Sequence, residues 1–328
     1  MTQLHPTVSV CIPVYNGQDY IAEAIESILG QTFQDYELIV CDNCSTDGTE
    51  KIVRSFGDSR IRYFKNEKNL GLVGNANRCI ALSEGKYIYI FHHDDIMLPE
   101  NLESKTNVLD ANPEVGFVFS DVYWVNEKGD ILSDWLAEAR RDYVEKGRKV
   151  FYRYIRHMPR GALIFIGSVL ARKRCYAELG GFREDLPHSN DNEMWLRLSL
   201  FYDVACVGKP LVKWRQHGTS TSSAWDLNIA WLEEHFLTTQ IVFQDYRDKI
   251  PNWEKLKKQV TREFTIQALK KGVNACGRDN FQIGESYLRL AGKFSEDSLL
   301  AYKDYWRLKT RLMLGPEAAK LYRPLKRR

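Results

Sequence analysis

Two adjacent carboxylates, Asp94 and Asp95, follow a short apolar run in the segment Phe91-His92-His93-Asp94-Asp95. Mg²⁺ and Mn²⁺ prefer oxygen ligands, and proteins commonly hold them with one or two carboxylates and leave other positions to substrate oxygens. His92 and His93 are poorly placed to share a zinc ion, because neighbouring side chains on an extended segment point to opposite faces. The two acids therefore predict a divalent-cation site. The alternative is a solvated turn whose acids cap the next helix.

The chain around these acids alternates between strand-like and helix-like patterns. Apolar runs with β-branched residues predict strands, and apolar residues spaced three and four apart predict helices. The predicted strands are Val8–Val14, Glu37–Cys41, Ile61–Phe64, Tyr87–Phe91 and Val115–Phe119, with helices predicted near residues 20–28, 46–56, 74–83 and 99–111. Further along the chain, Val204–Val207 and Leu211–Trp214 also have the pattern of strands. The stretch from about Asp130 to Arg160 has weak periodicity and is interpreted as an excursion. Strands separated by single helices imply an α/β fold with a mostly parallel sheet and helices on both of its faces.

Polar clusters occur at the ends of three of these predicted strands. Tyr15-Asn16 follows the first strand, Asp42-Asn43 the second, and His92 to Asp95 the fourth. In open α/β sheets, ligands bind beyond the carboxyl ends of the strands. This placement predicts a shared binding site at one edge of the sheet.

Five segments, in this order along the chain, resemble the family 2 glycosyltransferases of the GT-A fold. They are Val8–Gly17, Val40–Thr49, Phe91–Asp95, Gly180–Phe182 with Asn190–Trp195, and Trp214–Gly218. The resemblance runs from about Val8 to Ser222. It implies a GT-A nucleotide-diphospho-sugar transferase fold. It also implies transfer of a sugar to a hydroxyl of a glycan or lipid-linked acceptor, as in bacterial polysaccharide, lipopolysaccharide and O-antigen synthesis.

The resemblance implies how the donor diphosphate and its metal are held. The family pattern here is usually Asp-x-Asp-Asp, and His92 stands in the place of the first Asp. Asp94 then lies near the donor ribose or the metal, and Asp95 is the principal ligand of Mn²⁺ or Mg²⁺. Such a cation would stabilise the charge of the departing diphosphate.

The resemblance also implies how the nucleotide base is bound. In the resembling enzymes, the acid at Asp42 accepts a hydrogen bond from the imide of a uracil-like base, which favours a UDP or dTDP donor. Pro13 and Tyr15 would line the base pocket. The alternative for Asp42 is an acid that only caps an Asx turn.

Arg215 and His217 follow the last strand-like segment, and the resemblance places this stretch as a lid over the diphosphate. A guanidinium there would stabilise phosphate charge in the transition state. His217 would complete the metal shell or touch phosphate. Gly218 and the Ser/Thr run 219–223 suit a segment that orders on donor binding. The alternative is a basic surface loop.

Asp191 is the candidate general base that takes the proton of the acceptor hydroxyl. The family's usual Glu-Asp pair appears here as Asn190-Asp191, so the second member is retained. One base opposite the leaving group implies in-line displacement and inversion at the sugar carbon. The alternative for Asp191 is a helix cap. Glu193 is the second choice as base. Trp195 either forms the base of the sugar-binding site or packs in the core.

The C-terminal part of the chain predicts a helical appendage. We divide the chain into a GT-A catalytic domain at 1–224, with a nucleotide-binding part at about 1–120 and an acceptor-side part at about 121–224, and a helical appendage at 225–328. The appendage mixes aromatic residues with many Lys and Arg and ends in Leu321-Tyr322-Arg323-Pro324-Leu325-Lys326-Arg327-Arg328. It is interpreted as a cap on the catalytic domain, a homodimer surface, or a basic helix on an anionic membrane.

Charge, apolar runs and cysteine content limit the partners and the compartment of the protein. The net charge of +3 over 328 residues is too small to indicate nucleic acid binding. Neither a signal peptide nor an apolar run of about 18 residues is visible. Seven scattered cysteines favour a reducing compartment, hence a cytoplasmic protein with peripheral contact at the cytoplasmic membrane face as an option.

Three rival functions fit parts of the pattern. A dinucleotide-dependent oxidoreductase would carry G-x-G-x-x-G after the first strand, and this chain does not. A sugar nucleotidyltransferase would carry a Gly-rich basic loop where Tyr15 to Asp19 stands. An inactive sugar- or nucleotide-binding protein on the same fold would not need Asp95 and Asp191.

Overall fold

The computed structural model describes residues 5–135, 141–218 and 229–319. The chain forms two compact units. One comprises residues 1–152 and 163–223, and the other comprises residues 153–162 and 224–328. The prediction of a catalytic domain ending at residue 224 falls in a segment outside the described residues.

The first unit alternates strands and helices around a ten-stranded sheet. From the start to the last strand, the chain forms β1 (Val8–Val14), α1 (Ile21–Leu29), β2 (Tyr36–Asp42), α2 (Thr49–Ser55), β3 (Ile61–Lys65), α3 (Gly71–Leu82), β4 (Tyr87–Ile90), β5 (Ile96–Met97), α4 (Asn101–Ala111), β6 (Val115–Val125), β7 (Ile131–Trp135), β8 (Tyr143–Glu145), α5 (Gly147–His157), β9 (Leu170–Arg172), α6 (Lys173–Leu179), α7 (Asn190–Phe201) and β10 (Asp203–Arg215). The strand order is β3-β2-β1-β4-β9-β6-β10-β5, with β7 beside β6 and β8 beside β10.

The predicted α/β fold is confirmed. β1 has the predicted bounds and all seven of its residues are buried, as expected for a central strand covered on both faces. It pairs in parallel with β2 and with β4, and β2 pairs in parallel with β3. The carboxyl ends of β1, β2 and β4 therefore meet at one edge of the sheet, which is where the polar clusters lie.

The sheet is mixed rather than purely parallel, because β9 runs antiparallel between β4 and β6. β9 comes from the apolar run Gly161–Ala171. A short 3₁₀ turn, Ile166–Ser168, precedes it. The run is too short to cross a membrane, and here it supplies a fully buried strand.

The last strand differs from the sequence prediction. Val204–Val207 and Leu211–Trp214 were expected as two strands, but they are halves of the single strand β10. Its register with β6 shifts on both sides of Pro210. Proline has no N–H to donate, so the strand bulges at this point instead of ending.

The stretch from about Asp130 to Arg160, expected to be an excursion with weak periodicity, contains regular elements. β7 pairs with β6, β8 pairs with β10, and α5 follows. Strands of three to five residues are too short to produce a clear period-two pattern, which is why the sequence did not reveal them.

The second unit contains the predicted C-terminal helices: α8 (Ile229–Asp245), α9 (Trp253–Gly277), α10 (Phe281–Phe294) and α11 (Lys303–Ala319). The rings of Phe236, Phe264 and Phe294 pack together, with centroids 4.3–5.7 Å apart. Gly272 lets α11 approach α9 closely, since a Cβ there would lie 2.7 Å from the Leu308 side chain. No helix among the described residues combines the length and apolar character needed to cross a bilayer.

Candidate functional site

The turn after β4 gathers three groups able to bind a cation. Each of His92, Asp94 and Asp95 offers one nitrogen or oxygen atom, and these atoms all lie within 4.8 Å of one another. The buried residues of β4 fix the start of this turn in the sheet. His93 does not belong to the group. The expected acids are thus brought together, and His92 joins them across the turn.

Asp95 carries an unsatisfied buried oxygen. Its side chain is inaccessible to solvent, and Oδ1 accepts a hydrogen bond of 3.0 Å from the backbone N–H of Arg215. Oδ2 accepts no hydrogen bond from the described residues, and Nδ1 of His92 stands 3.4 Å away, an ion-pair contact too long for a good hydrogen bond. A buried carboxylate oxygen without a partner is unfavourable, and a cation would relieve it. These residues therefore fit a divalent cation.

The two acids of the turn differ in charge behaviour. Burial raises the pKa of Asp95 to about 6, and the nearby His92 imidazole and the hydrogen bond from the Arg215 N–H only partly oppose this effect. Burial also raises the pKa of Asp94, but the hydrogen bond with His217 and the nearby imidazoles outweigh it, so that its pKa lies below the usual range. The negatively charged form of Asp94 is therefore favoured, whereas burial disfavours the charged form of Asp95.

His92 lies where the acidic residues of the site converge. Burial lowers the pKa of His92, but contact with Asp95 and the charges of Asp94 and Asp191 outweigh burial and raise it. The His92 ring packs edge-on against Phe165, with centroids 5.3 Å apart, and Phe165 stacks on Trp214 at 4.5 Å. Asp191, from the distant helix α7, therefore acts electrostatically on the same imidazole as the turn acids.

Gly167 allows the backbone to pass directly under Asp95. A Cβ at Gly167 would lie 2.6 Å from the Phe165 ring and 3.2 Å from Oδ2 of Asp95. The hydroxyl of Tyr89 donates to the Gly167 carbonyl at 3.0 Å, and the buried Lys105 donates to that hydroxyl at 2.9 Å. The 3₁₀ turn is therefore anchored to β4 and α4. Phe165 and Gly167 were not predicted as site residues, because the segment Gly161–Ala171 contains no charged side chain that would indicate a site.

Arg215 is buried and binds the protein itself. Nε donates to the carbonyl of Asp94 at 2.8 Å, and Nη1 donates to the carbonyl of Glu127 at 2.6 Å. Nη2 pairs with the carboxylate of Glu23, which is half exposed. The guanidinium thus fixes the turn of Asp94 and Asp95 against α1. The expected contact with diphosphate would require it to leave partners it already has, and that role stays a prediction.

Tyr20 connects the two basic side chains of this region. Its ring lies 5.0 Å from the guanidinium of Arg215 and 4.9 Å from the imidazole of His217. Nε2 of His217 lies 2.9 Å from Oδ2 of Asp94, and this hydrogen bond raises the pKa of His217. His217 therefore touches one member of the cation-binding group. The Ser/Thr run 219–223 predicted as a lid lies outside the described residues.

Asp42 lies at the end of β2. Strand β1 separates β2 from β4, so the ends of β2 and β4 are about 10 Å apart across the sheet. Asp42 is fully buried. Its Oδ1 accepts from the Ser45 backbone N–H at 2.7 Å, and its Oδ2 accepts from the Tyr63 hydroxyl at 2.5 Å. Pro13 is buried in β1 and Tyr15 is half exposed beyond its end. Contact of these three residues with a base remains a prediction.

The base candidates in α7 have different surroundings. Asp191 lies in the first turn of α7, and its Oδ1 accepts from the backbone and side-chain amides of Asn192 at 2.7 and 2.8 Å. Glu193 is buried in an ion pair with Arg197, at 2.9 Å. Trp195 packs on Phe117 in the core, with centroids 5.2 Å apart. Glu193 and Trp195 are thus held by contacts within the fold, whereas the charge of Asp191 contributes to raising the pKa of His92. The choice of Asp191 as the base stays a prediction.

Comparison with known proteins gives a consistent result. The profile of glycosyl transferase family 2 matches residues 9–174. An uncharacterized glycosyltransferase of Methanocaldococcus jannaschii is 32% identical over 215 residues, which cover 64% of this chain and 71% of that protein. An uncharacterized glycosyltransferase of Rickettsia typhi is 32% identical over 220 residues, 66% of each chain.

Solved structures share the fold at low identity. Residues 1–349 of S. aureus TarS in complex with UDP-GlcNAc give a TM-score of 0.63 at 15% identity, covering 97% of this chain and 93% of that one. The mannosyltransferase PcManGT from Pyrobaculum calidifontis, in complex with GDP-Man and Mn²⁺, gives a TM-score of 0.54 at 21% identity, covering 97% and 87%.

Proposed function

The chain belongs to glycosyl transferase family 2, and from this premise we propose that it is a metal-dependent, inverting transferase that uses a nucleotide-diphosphate sugar. The observation that supports the proposal best is the cluster of His92, Asp94 and Asp95 at the carboxyl edge of the sheet. The charge of Asp191 adds to theirs in raising the pKa of His92. A cation-binding group and a further carboxylate are the two components that this reaction requires.

His92, Asp94 and Asp95 would hold the divalent cation, Mn²⁺ or Mg²⁺. When bound, it supplies positive charge that stabilises the diphosphate leaving group. Asp95 would turn its unsatisfied Oδ2 toward this charge, while its Oδ1 stays fixed by Arg215. Asp94 would be oriented by His217, which would itself be a further ligand of the cation.

Asp191 would accept the proton of the acceptor hydroxyl as that oxygen attacks the sugar carbon. Its position in the first turn of α7 favours the negative charge, because the N-terminal end of a helix is electropositive. The bond to the diphosphate breaks on the opposite side, so the configuration at the carbon inverts. An α-linked donor would give a β-glycoside.

The donor is proposed to be a UDP or dTDP sugar, held by Pro13, Tyr15, Asp94 and Arg215, while Asp42 would shape the base pocket through the turn that it stabilises. The complex of TarS with UDP-GlcNAc supports a uracil base, whereas PcManGT was solved with GDP-Man. The acceptor is proposed to be a hydroxyl of a glycan or of a lipid-linked glycan. We place the protein in the cytoplasm, in polysaccharide or lipopolysaccharide synthesis, with a homodimer as a further option.

The variant Asp191→Asn tests this proposal. Donor binding in the presence of Mn²⁺ should be retained, while transfer should fall by at least about 10²-fold because the general base is lost. Thermal-shift screening of nucleotide sugars with Mn²⁺ identifies the donor, and product analysis by NMR gives the anomeric configuration.

Asp185→Asn is the matched control, since Asp185 is an exposed acid just before α7 that pairs only with Arg183 among the contacts described. It should transfer at the wild-type rate. Wild-type transfer by Asp191→Asn would overturn the assignment of the base. A wild-type chain that binds donors but transfers to no acceptor would support an inactive binding protein instead.

A further inference from the structure

Helix α11 has an inner face that packs on α9. Leu308 is fully buried and meets Gly272 of α9, and Arg311 donates to the carbonyl of Val273 at 2.7 Å. Leu312 lies on the same side, close to Gly284 of α10. This face accounts for how the helix is held in the second unit.

The outer face of α11 is apolar and exposed. Trp306 is 54% exposed and Met313 is 76% exposed. They are seven residues apart, which places them on one side of the helix two turns from each other. Leu314 and the preceding Leu300 extend the patch, at 48% and 57% exposed. The indole N–H of Trp306 donates to the Leu300 carbonyl at 3.0 Å, so the patch is an ordered surface. We call these four residues the α11 patch.

Cations flank the α11 patch on both sides. Lys303 and Lys309 stand three residues before and three residues after Trp306, which places them on opposite sides of it around the helix. Arg307 is also exposed, and Asp304 is the one acid between residues 303 and 314. Long basic side chains can lie along apolar surface while their charged ends remain in water.

Charge is concentrated in this part of the sequence. Residues 303–328 contain nine Lys or Arg and two acidic residues, a net charge of +7, while the whole chain carries +3. The first 302 residues are therefore net negative, at −4. The last nine residues of this basic stretch lie outside the described residues, and only their sequence enters here.

We propose that the α11 patch lies on the surface of an anionic lipid bilayer. Tryptophan is favoured at the boundary between lipid and water, apolar side chains enter it, and flanking cations are attracted to anionic headgroups. The core of a protein–protein interface is instead depleted in lysine. α11 is too short and too charged to span the membrane, so it would lie in the plane of the interface. The proposal goes beyond the transfer reaction and does not depend on it.

Co-sedimentation of the full chain with lipid vesicles tests the proposal. Vesicles of phosphatidylcholine with phosphatidylglycerol should bind at least about tenfold more protein than phosphatidylcholine alone, and high salt should release it. Met313→Asp should reduce binding to the anionic vesicles by about tenfold or more, because it places an anion at the most exposed apolar position.

Leu237→Asp is the matched control, since Leu237 is 46% exposed on α8, outside the α11 patch. It should bind vesicles as the wild type does, and circular dichroism should show both variants to be folded. Equal binding to neutral and anionic vesicles would overturn the proposal. The proposal would also be overturned if the protein bound no vesicles and formed a dimer that Met313→Asp dissociates, as measured by analytical ultracentrifugation. Either failure would leave donor binding and transfer unaffected, and hence would not count against the proposed function.

Discussion

Two turns at the same edge of the sheet carry acidic residues, and the hydrogen bonding of these acids differs between the two turns. In the turn after β2, both oxygens of Asp42 accept hydrogen bonds, from the Ser45 N–H and the Tyr63 hydroxyl. Asp47 in this turn is also satisfied, by Thr49 and by the N–H of Gln18. In the turn after β4, Asp95 keeps a buried oxygen with no donor among the described residues.

The difference separates acids that build the site from acids available to a ligand. A buried carboxylate whose hydrogen bonds are complete stabilises its own turn. A buried carboxylate that lacks a partner costs folding free energy, and that cost is offset when a cation binds. Position at a strand end is common to both turns and does not distinguish the two kinds of acid. They are distinguished by the hydrogen bonds that each carboxylate oxygen accepts.

The largest expected effect comes from Asp95→Asn. The amide is a poor substitute for the carboxylate as a ligand, so affinity for Mn²⁺ should fall by about 10²-fold or more, and transfer should fall with it. The apo protein should be no less stable than the wild type, because an uncompensated buried charge has been removed. Isothermal titration calorimetry with Mn²⁺ and thermal unfolding without metal measure the two quantities.

Asp110→Asn serves as the control, since Asp110 pairs with Lys86 on the surface of α4. It should bind Mn²⁺ as the wild type does. A loss of stability in Asp95→Asn with unchanged Mn²⁺ affinity would assign Asp95 to the fold and would remove the contrast between the two turns.

The sequence predicted β1 to β4, the first part of β6 and the polar residues at the strand ends, because these depend on local pattern. The short strands β7 and β8 were not predicted. β1 was placed residue for residue, since a continuous buried run has apolar residues throughout. Contacts between residues distant in the chain were not predicted. Glu23 and Arg215 are 192 residues apart, and nothing in the first turn of α1 indicates that one of its acids holds the cation-binding turn. His92 was interpreted as a replacement for the first acid of the family pattern and as a poor zinc ligand beside His93, whereas the turn directs it toward Asp94 and Asp95.

A smaller effect is expected from Glu23→Gln, which sharpens the comparison. Arg215 fixes Asp95 from 120 residues away, and Glu23 is the acid that pairs with its buried guanidinium. Without that charge, the turn after β4 should be held less firmly. We expect Mn²⁺ affinity to fall several-fold and the free energy of unfolding to fall by about 1–2 kcal/mol. Calorimetry and urea unfolding provide both values.

Glu50→Gln is the control for this variant, because Glu50 forms surface pairs with Arg54 and Lys65. Surface ion pairs contribute little to stability, so neither its midpoint of urea unfolding nor its Mn²⁺ affinity should differ measurably from the wild type. If Glu23→Gln affected stability alone, Arg215 would support the fold without positioning the acids.

The smallest effect on ligand binding is expected from Asp42→Asn, and it is the variant that can break the comparison. An amide can still accept from the Ser45 N–H, but its nitrogen would then face the Tyr63 hydroxyl in place of a carboxylate oxygen. The free energy of unfolding should therefore fall by about 1–3 kcal/mol. Because both oxygens of Asp42 are buried and already accept hydrogen bonds, affinity for a UDP sugar, measured by calorimetry, should stay within about twofold of the wild type.

Tyr63→Phe removes the same hydrogen bond and leaves the carboxylate, so it should reproduce the loss of stability with unchanged donor affinity. A tenfold loss of donor affinity in Asp42→Asn but not in Tyr63→Phe would mean that Asp42 turns toward the base when the donor binds. Complete hydrogen bonding in the donor-free protein would then not distinguish a structural acid from a binding one.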